Sequence, residues 1–271
     1  MIPSNAPLGV FDSGLGGLTV VRAIREALPN EHVIYLGDTA RVPYGTRGAD
    51  TVIRYAVGCT QHWVARGVKA VVIACTTVSA VAPDRLRAEF DLPILGVIEP
   101  GAKAAVAATR SGKIGVLATA GTISSGAYPR AVAALSTRVE TVGQAAPLLV
   151  PLAEEGWTEG EVPRLAARKY LGPLANANVD VVVLGCTHYP LLRHIIEDEA
   201  RALMGHSVSI VDSGRAAASD VALFLKERGL LNTSGEAPTT KLLVTDRPRS
   251  FGESAARFLG GEVPEVELIN L

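Results

Sequence analysis

Short apolar runs rich in β-branched residues recur along the chain, each followed by a turn of glycine or polar residues and then by apolar positions at helical spacing. The first run, Leu8 to Phe11, opens into Asp12-Ser13-Gly14-Leu15-Gly16-Gly17-Leu18-Thr19, after which Val20, Val21, Ile24 and Leu28 mark one helix face. His32 to Leu36 is a second strand, followed by a polar loop from Gly37 to Thr46 and a helix from Thr51 to Arg66. A third strand starting at Val68 ends at Cys75-Thr76-Thr77; a helix through Leu86, a strand Pro93 to Val97 and a crossover Glu99 to Ala108 follow. The strand opening at Lys113 then leads to a helix through Ala134, a strand Arg138 to Val142, a turn into Leu148 to Glu155, and a helix Glu161 to Leu174. The run Val179 to Leu184 closes on Gly185-Cys186-Thr187-His188, and helical pattern resumes near Pro190, a residue favoured at the first helical position. A helix Leu191 to Leu203, a strand Ser207 to Val211, a helix capped by Asp212 and closed by Gly229, and strands Lys241 to Val244 and Val266 to Ile269 complete the pattern.

Two halves of this pattern match. Gly115-Val116-Leu117 repeats Gly9-Val10-Phe11 at an offset of 106 residues, and Cys186-Thr187 repeats Cys75-Thr76 at 111. Alternating strands and helices in two copies predict an α/β protein with two doubly wound parallel-sheet domains related by an internal repeat, the active site lying in the cleft between them. The expected division is residues 1–97 plus 207–271 for the first domain and 98–206 for the second.

Composition narrows the function. A net charge of −1, from 26 basic and 27 acidic residues, offers no electrostatic footing for nucleic acid or an anionic membrane surface, so a small neutral or zwitterionic partner fits better. No apolar stretch has the length of a bilayer span, and the first residues lack the features of a signal peptide, which makes the cytoplasm the expected location. Three cysteines, at 59, 75 and 186, form no metal-binding pair and no disulfide framework. Cys59, among apolar helical neighbours, reads as packing.

The glycine loop matches a dinucleotide fingerprint at Gly14 and Gly16 but carries Thr19 where the third glycine belongs, so backbone freedom in a tight turn explains it better than nucleotide binding. That explanation leaves out Asp12, an acid at a strand tip. Cys75 and Cys186 each precede a helix start, where N–H groups and the helix dipole favour a thiolate. Around them the pattern gathers Asp12, Ser13, Tyr44, Thr76, Thr77, Thr119, Thr187 and His188, with none of the six lysines that a pyridoxal enzyme would need. Two cysteines and one histidine make at most a weak zinc site. A cysteine–histidine hydrolase leaves Cys75 idle, and an amino-acid binding protein has no use for two thiols. A pair of like acid/base groups on opposite faces of one carbon suits a reaction whose substrate and product are mirror images, because the site must then serve both directions equally. That reaction is racemisation.

The segments Phe11-Asp12-Ser13-Gly14-Leu15-Gly16-Gly17, Pro43-Tyr44-Gly45, Ala74-Cys75-Thr76-Thr77 and Gly185-Cys186-Thr187-His188-Tyr189-Pro190-Leu191 resemble, in order and spacing, the bacterial glutamate racemases of the aspartate/glutamate racemase superfamily. The resemblance spans nearly the whole chain. It implies a cofactor-independent enzyme, with no metal, that makes D-glutamate for peptidoglycan, with glutamate as its small-molecule partner and a homodimer as an allowed assembly. Cys75 would deprotonate D-glutamate and Cys186 L-glutamate, assisted by Asp12 and His188. Substrate contacts would fall on Asp12, Ser13, Tyr44, Gly45, Thr76, Thr77, Thr119, Thr187 and His188, with Glu154 an acid near the site. The family's usual asparagine after the first cysteine is here Thr76, which keeps a hydroxyl and loses an amide.

Overall fold

The structure, a computed structural model, describes residues 2–271. In chain order its strands are β1 (Leu8–Asp12), β2 (Val33–Gly37), β3 (Ala70–Ile73), β4 (Ile94–Gly96), β5 (Lys113–Ala118), β6 (Glu140–Ala145), β7 (Val181–Gly185), β8 (Ser209–Asp212), β9 (Thr240–Val244) and β10 (Val266–Leu268). The helices are α1 (Leu18–Ala27), α2 (Ala49–Ala65), α3 (Thr76–Ser79), α4 (Pro83–Glu89), α5 (Ile98–Ala108), α6 (Ala120–Ser124), α7 (Ala127–Leu135), α8 (Leu149–Glu154), α9 (Glu161–Asn176), α10 (Arg193–Met204), α11 (Ser213–Glu227) and α12 (Pro248–Leu259). A single 3-10 turn, Tyr189–Leu192, precedes α10.

One sheet runs β10-β9-β2-β1-β3-β4 and the other β6-β5-β7-β8, with every pair parallel. Both faces of each sheet are covered, which is why the central strands read as unbroken apolar runs: Val10 packs into one core and Phe11 into another, as do Val182 and Val183 in the second sheet. In each sheet the winding reverses beside a central strand, between β1 and β3 and between β5 and β7. The registers Phe11↔Ile73 and Ala118↔Gly185 bring the carboxyl ends of these strands level, so the turns carrying Ser13, Cys75, Thr119 and Cys186 leave their sheets at the switch points.

The expected elements are present with shifts of a few residues, and two differences bear on the architecture. The strand at 209–212, expected in the first domain, pairs with β7 and belongs to the second sheet, which therefore runs past residue 206. Its half-buried pattern is that of an edge strand, which apolar content alone does not assign to a sheet. The chain returns to the first unit at α11, whose Ala217, Ala218, Val221 and Leu225 share a core with Leu8 and Val10. The second difference is α12, which the sequence reading left without an element, although Phe251, Ala255, Phe258 and Leu259 are buried at helical spacing behind Pro248 at its start. Among the described residues no helix is long and apolar enough to cross a membrane.

Candidate active site

A cavity of about 370 Å³ opens where the two sets of switch-point turns face each other. Pockets that hold small molecules begin at about 300 Å³, so this one suits a small ligand. Ser13, Tyr44, Gly45, Cys75, Thr76 and Thr77 line it from the first unit, and Thr119, Glu154, Cys186, Thr187 and His188 from the second. No lysine or arginine lines it. Val42, Pro43, Thr46, Ala120, Pro147, Val150 and Pro151 complete the wall; all but Thr46 are apolar, and only Pro43 falls in a segment that carries the resemblance.

Cys75 follows β3 as the N-cap residue of α3 and is 5% exposed. Its thiol lies 3.6 Å from the Ser13 hydroxyl. Burial, reinforced by the charge of Asp12, pushes it up to about 12 against hydrogen bonds from Val78 and Ser13, so at neutral pH it carries its proton. Asp12 lies behind the residues that line the cavity. It is buried, with Oδ2 accepting from the Gly14 N–H at 2.9 Å and Oδ1 unpartnered, and burial raises its own pKa against those N–H bonds and the charge of His188. Its reach to Cys75 is electrostatic.

Cys186 follows β7 in the matching position, 6% exposed, with its sulfur 3.8 Å from His188 Nδ1. The other ring nitrogen, Nε2, is 2.9 Å from Glu154 Oε1. Burial opposes charge on His188, but Cys186 and Glu154 outweigh it and raise the imidazole to about 10. Glu154 terminates α8 with its side chain 41% exposed, yet it is no idle surface charge, because it orients the His188 ring from the cavity wall. The edge of Phe258 packs on that ring at 5.4 Å between centroids, and Arg257 donates to the Glu154 carbonyl. Both belong to α12, so the sequence reading had no path to them.

Hydroxyls form the rest of the polar wall. Thr77 and Thr119 lie 3.1 Å apart across the two units, and Thr119 caps α6 by accepting from the Thr122 N–H at 3.3 Å. Tyr44 lines the cavity, but its hydroxyl donates to Asp38, which also accepts from Thr245 at 2.9 Å and pairs with Arg41 at 2.6 Å. Tyr44 therefore serves through its ring and by fixing the loop. Gly45 and Gly121 touch across the units through a 3.1 Å N–H to carbonyl bond.

The glycine loop has a different reason from the one its sequence suggested. Gly14, Gly16 and Gly17 do not adopt positive φ. A side chain at Gly16 would collide with the Thr187 hydroxyl and stand 2.6 Å from the His188 ring, and one at Gly17 would stand 2.5 Å from Asp12. Gly16 is bare so that the second cysteine turn can seat against it, and Gly17 so that Asp12 can. Among the described residues no group of three or more histidine, cysteine or acidic side chains could hold a metal ion.

The chain is 48% identical over 264 residues to the glutamate racemase of Geobacter metallireducens, covering 97% of this chain and 96% of that protein. Its fold matches a glutamate racemase isoform from Bacillus anthracis with a TM-score of 0.93, at 34% identity over 99% of this chain and 98% of the other. It also matches, with a TM-score of 0.89 and 34% identity over 98% of each chain, the Francisella tularensis glutamate racemase solved in complex with D-glutamate. These likenesses define the class: an isomerase that racemises an amino acid. The family model for Asp/Glu/Hydantoin racemase matches residues 9–221, and the chain belongs to that family.

Proposed function

We propose that the protein interconverts L- and D-glutamate by a two-base mechanism in which Cys75 and Cys186 act on opposite faces of the α-carbon, with no cofactor. The observation that carries this reading is the placement of both thiols, from equivalent strand tips, on one small cavity. In one direction Cys186 takes the α-proton of L-glutamate as thiolate and Cys75 gives its proton to the opposite face, yielding D-glutamate and leaving the proton count unchanged. In the other direction the roles exchange; the assignment of enantiomer to cysteine follows the family resemblance. Cys75 holds its proton at neutral pH, as its donor role in the first direction requires. The charged imidazole of His188 is placed to hydrogen-bond Cys186, with Glu154 holding the ring. The substrate carboxylates meet hydroxyls from Ser13, Thr76, Thr77, Thr119 and Thr187 rather than cationic side chains. The D-glutamate would feed peptidoglycan synthesis in the cytoplasm, where the thiols stay reduced.

A glutamate analogue with a leaving group on the β-carbon tests the assignment, because elimination needs only the abstracting thiolate. Cys75→Ser is expected to keep elimination from the L-enantiomer and Cys186→Ser from the D-enantiomer, while neither racemises glutamate. Loss of the same enantiomer by both variants, or racemisation near the parent rate by either, overturns the two-base mechanism.

A further inference from the structure

Thr19, the residue that breaks the glycine fingerprint, does not line the cavity, yet it bonds across the two units to the turn that carries Cys186 and His188. Its hydroxyl lies 2.9 Å from the Thr187 carbonyl and 2.9 Å from the Gly16 carbonyl. The one hydroxyl proton is shared between two acceptors: the Gly16 carbonyl already accepts the backbone N–H of Thr19 at 3.1 Å, whereas the Thr187 carbonyl has no backbone donor. The Thr187 carbonyl needs it for a local reason. In a 3-10 turn that oxygen would accept from the residue three positions on, which is Pro190 and has no N–H. The next donor, the Leu191 N–H, goes to His188, and the Tyr189 N–H goes to Cys186. The peptide between the two functional side chains therefore draws its hydrogen bond from the other unit.

We propose that Thr19 is a positioning residue for the second cysteine turn: by satisfying the Thr187 carbonyl across the unit interface, it fixes the approach of His188 to Cys186 while leaving Cys75 untouched. Gly16 supplies the seat and Thr19 the latch, which gives the fingerprint mismatch a function in racemisation. The inference rests on the two-base reading for its catalytic meaning, but the geometry it asserts concerns one thiol only and can be read without turnover.

Iodoacetamide alkylation of the parent, Thr19→Val and Thr19→Ser at neutral pH, followed by peptide mass mapping, gives a separate rate for each cysteine. Thr19→Val is expected to slow Cys186 alkylation about tenfold, the scale of one lost hydrogen bond, and to leave Cys75 at the parent rate. Thr19→Ser, which keeps the hydroxyl, is expected to restore it. Thr19→Ala serves as a second hydroxyl-free variant should the valine disturb folding, with the same expectation. Equal changes at both cysteines, no change at Cys186, or failure of serine to restore the rate overturns the latch. Elimination from the L- and D-analogues is then measured on the same variants, with loss expected for the L-enantiomer alone. A selective alkylation change with both enantiomers equally affected would leave the latch standing and count against the two-base assignment, so the two failures are distinguishable.

Discussion

Single side chains set the proton inventory of the cavity. His188 has a folded pKa of about 10 against an ordinary 6.5, raised by Cys186 and Glu154 in spite of burial. Because the folded value is the higher one, the stability this gives is fully present below pH 6.5 and disappears as pH rises through about 10. Replacing Glu154 by Gln removes one of the two raising partners. The gap in melting temperature between parent and Glu154→Gln should therefore be largest near pH 6 and shrink across that window. A gap that stays constant from pH 6 to 10 would show that the pair does not hold the imidazolium. Thr76 is buried on the cavity wall and offers a hydroxyl where an asparagine would offer an amide. Thr76→Asn adds amide donors and should keep turnover while lowering KM for glutamate, by about 0.5–1.5 kcal/mol of binding for one net hydrogen bond. A fall in kcat by orders of magnitude would mean that the threonine hydroxyl has a task of its own.

At the level of elements, the turns after β1 and β7 fit one another as a bare loop and a loaded one. Gly16→Ala must push the Thr187 and His188 side chains away, and displacements near 1 Å at a reacting group cost on the order of 100-fold in rate. Steady-state kcat measures this. Gly58→Ala in α2, where a Cβ meets nothing within 4 Å, is the matched control and should leave kcat alone while adding about 0.5–1 kcal/mol of stability by helix propensity. These elements also show what the chain disclosed beforehand. The thiol turns were legible because a buried parallel strand has a strong apolar signature and its tip is a fixed address. The glycines were legible as glycines but not as a seat, since the neighbour that requires Gly16 to be bare is more than 160 residues away. Helix α12 has the needed spacing, but Gly252 and a flanking Arg247 at φ 48° blur its outline, and its contact with His188 is purely tertiary. Asp12 was legible by its position at a strand tip, but a strand tip does not say which way a carboxylate turns.

Across the whole molecule, one fully buried ion pair binds distant segments of the first unit. Lys69 donates to the Ser4 carbonyl at 2.6 Å and the Leu230 carbonyl at 2.8 Å and pairs with Glu31, which accepts from the Asn232 N–H at 2.8 Å. Lys69→Met strands a buried carboxylate and should cost about 3–5 kcal/mol in urea unfolding, whereas Lys69→Met combined with Glu31→Leu should recover much of it. Both should keep the parent kcat, since neither residue reaches the cavity; a loss of kcat in the double variant would tie this pair to the site. The strand order carries a further consequence, for the birth of the protein on the ribosome. Residues 113–212 contain every strand of the second sheet and can close it as soon as they emerge, whereas β2 stays an open, apolar edge until residues 240–244 arrive to cover it. The half bearing Cys75 is begun first and finished last. A nascent chain therefore carries a closed second sheet beside an unfinished partner, and racemase activity waits until nearly all of the chain has been made.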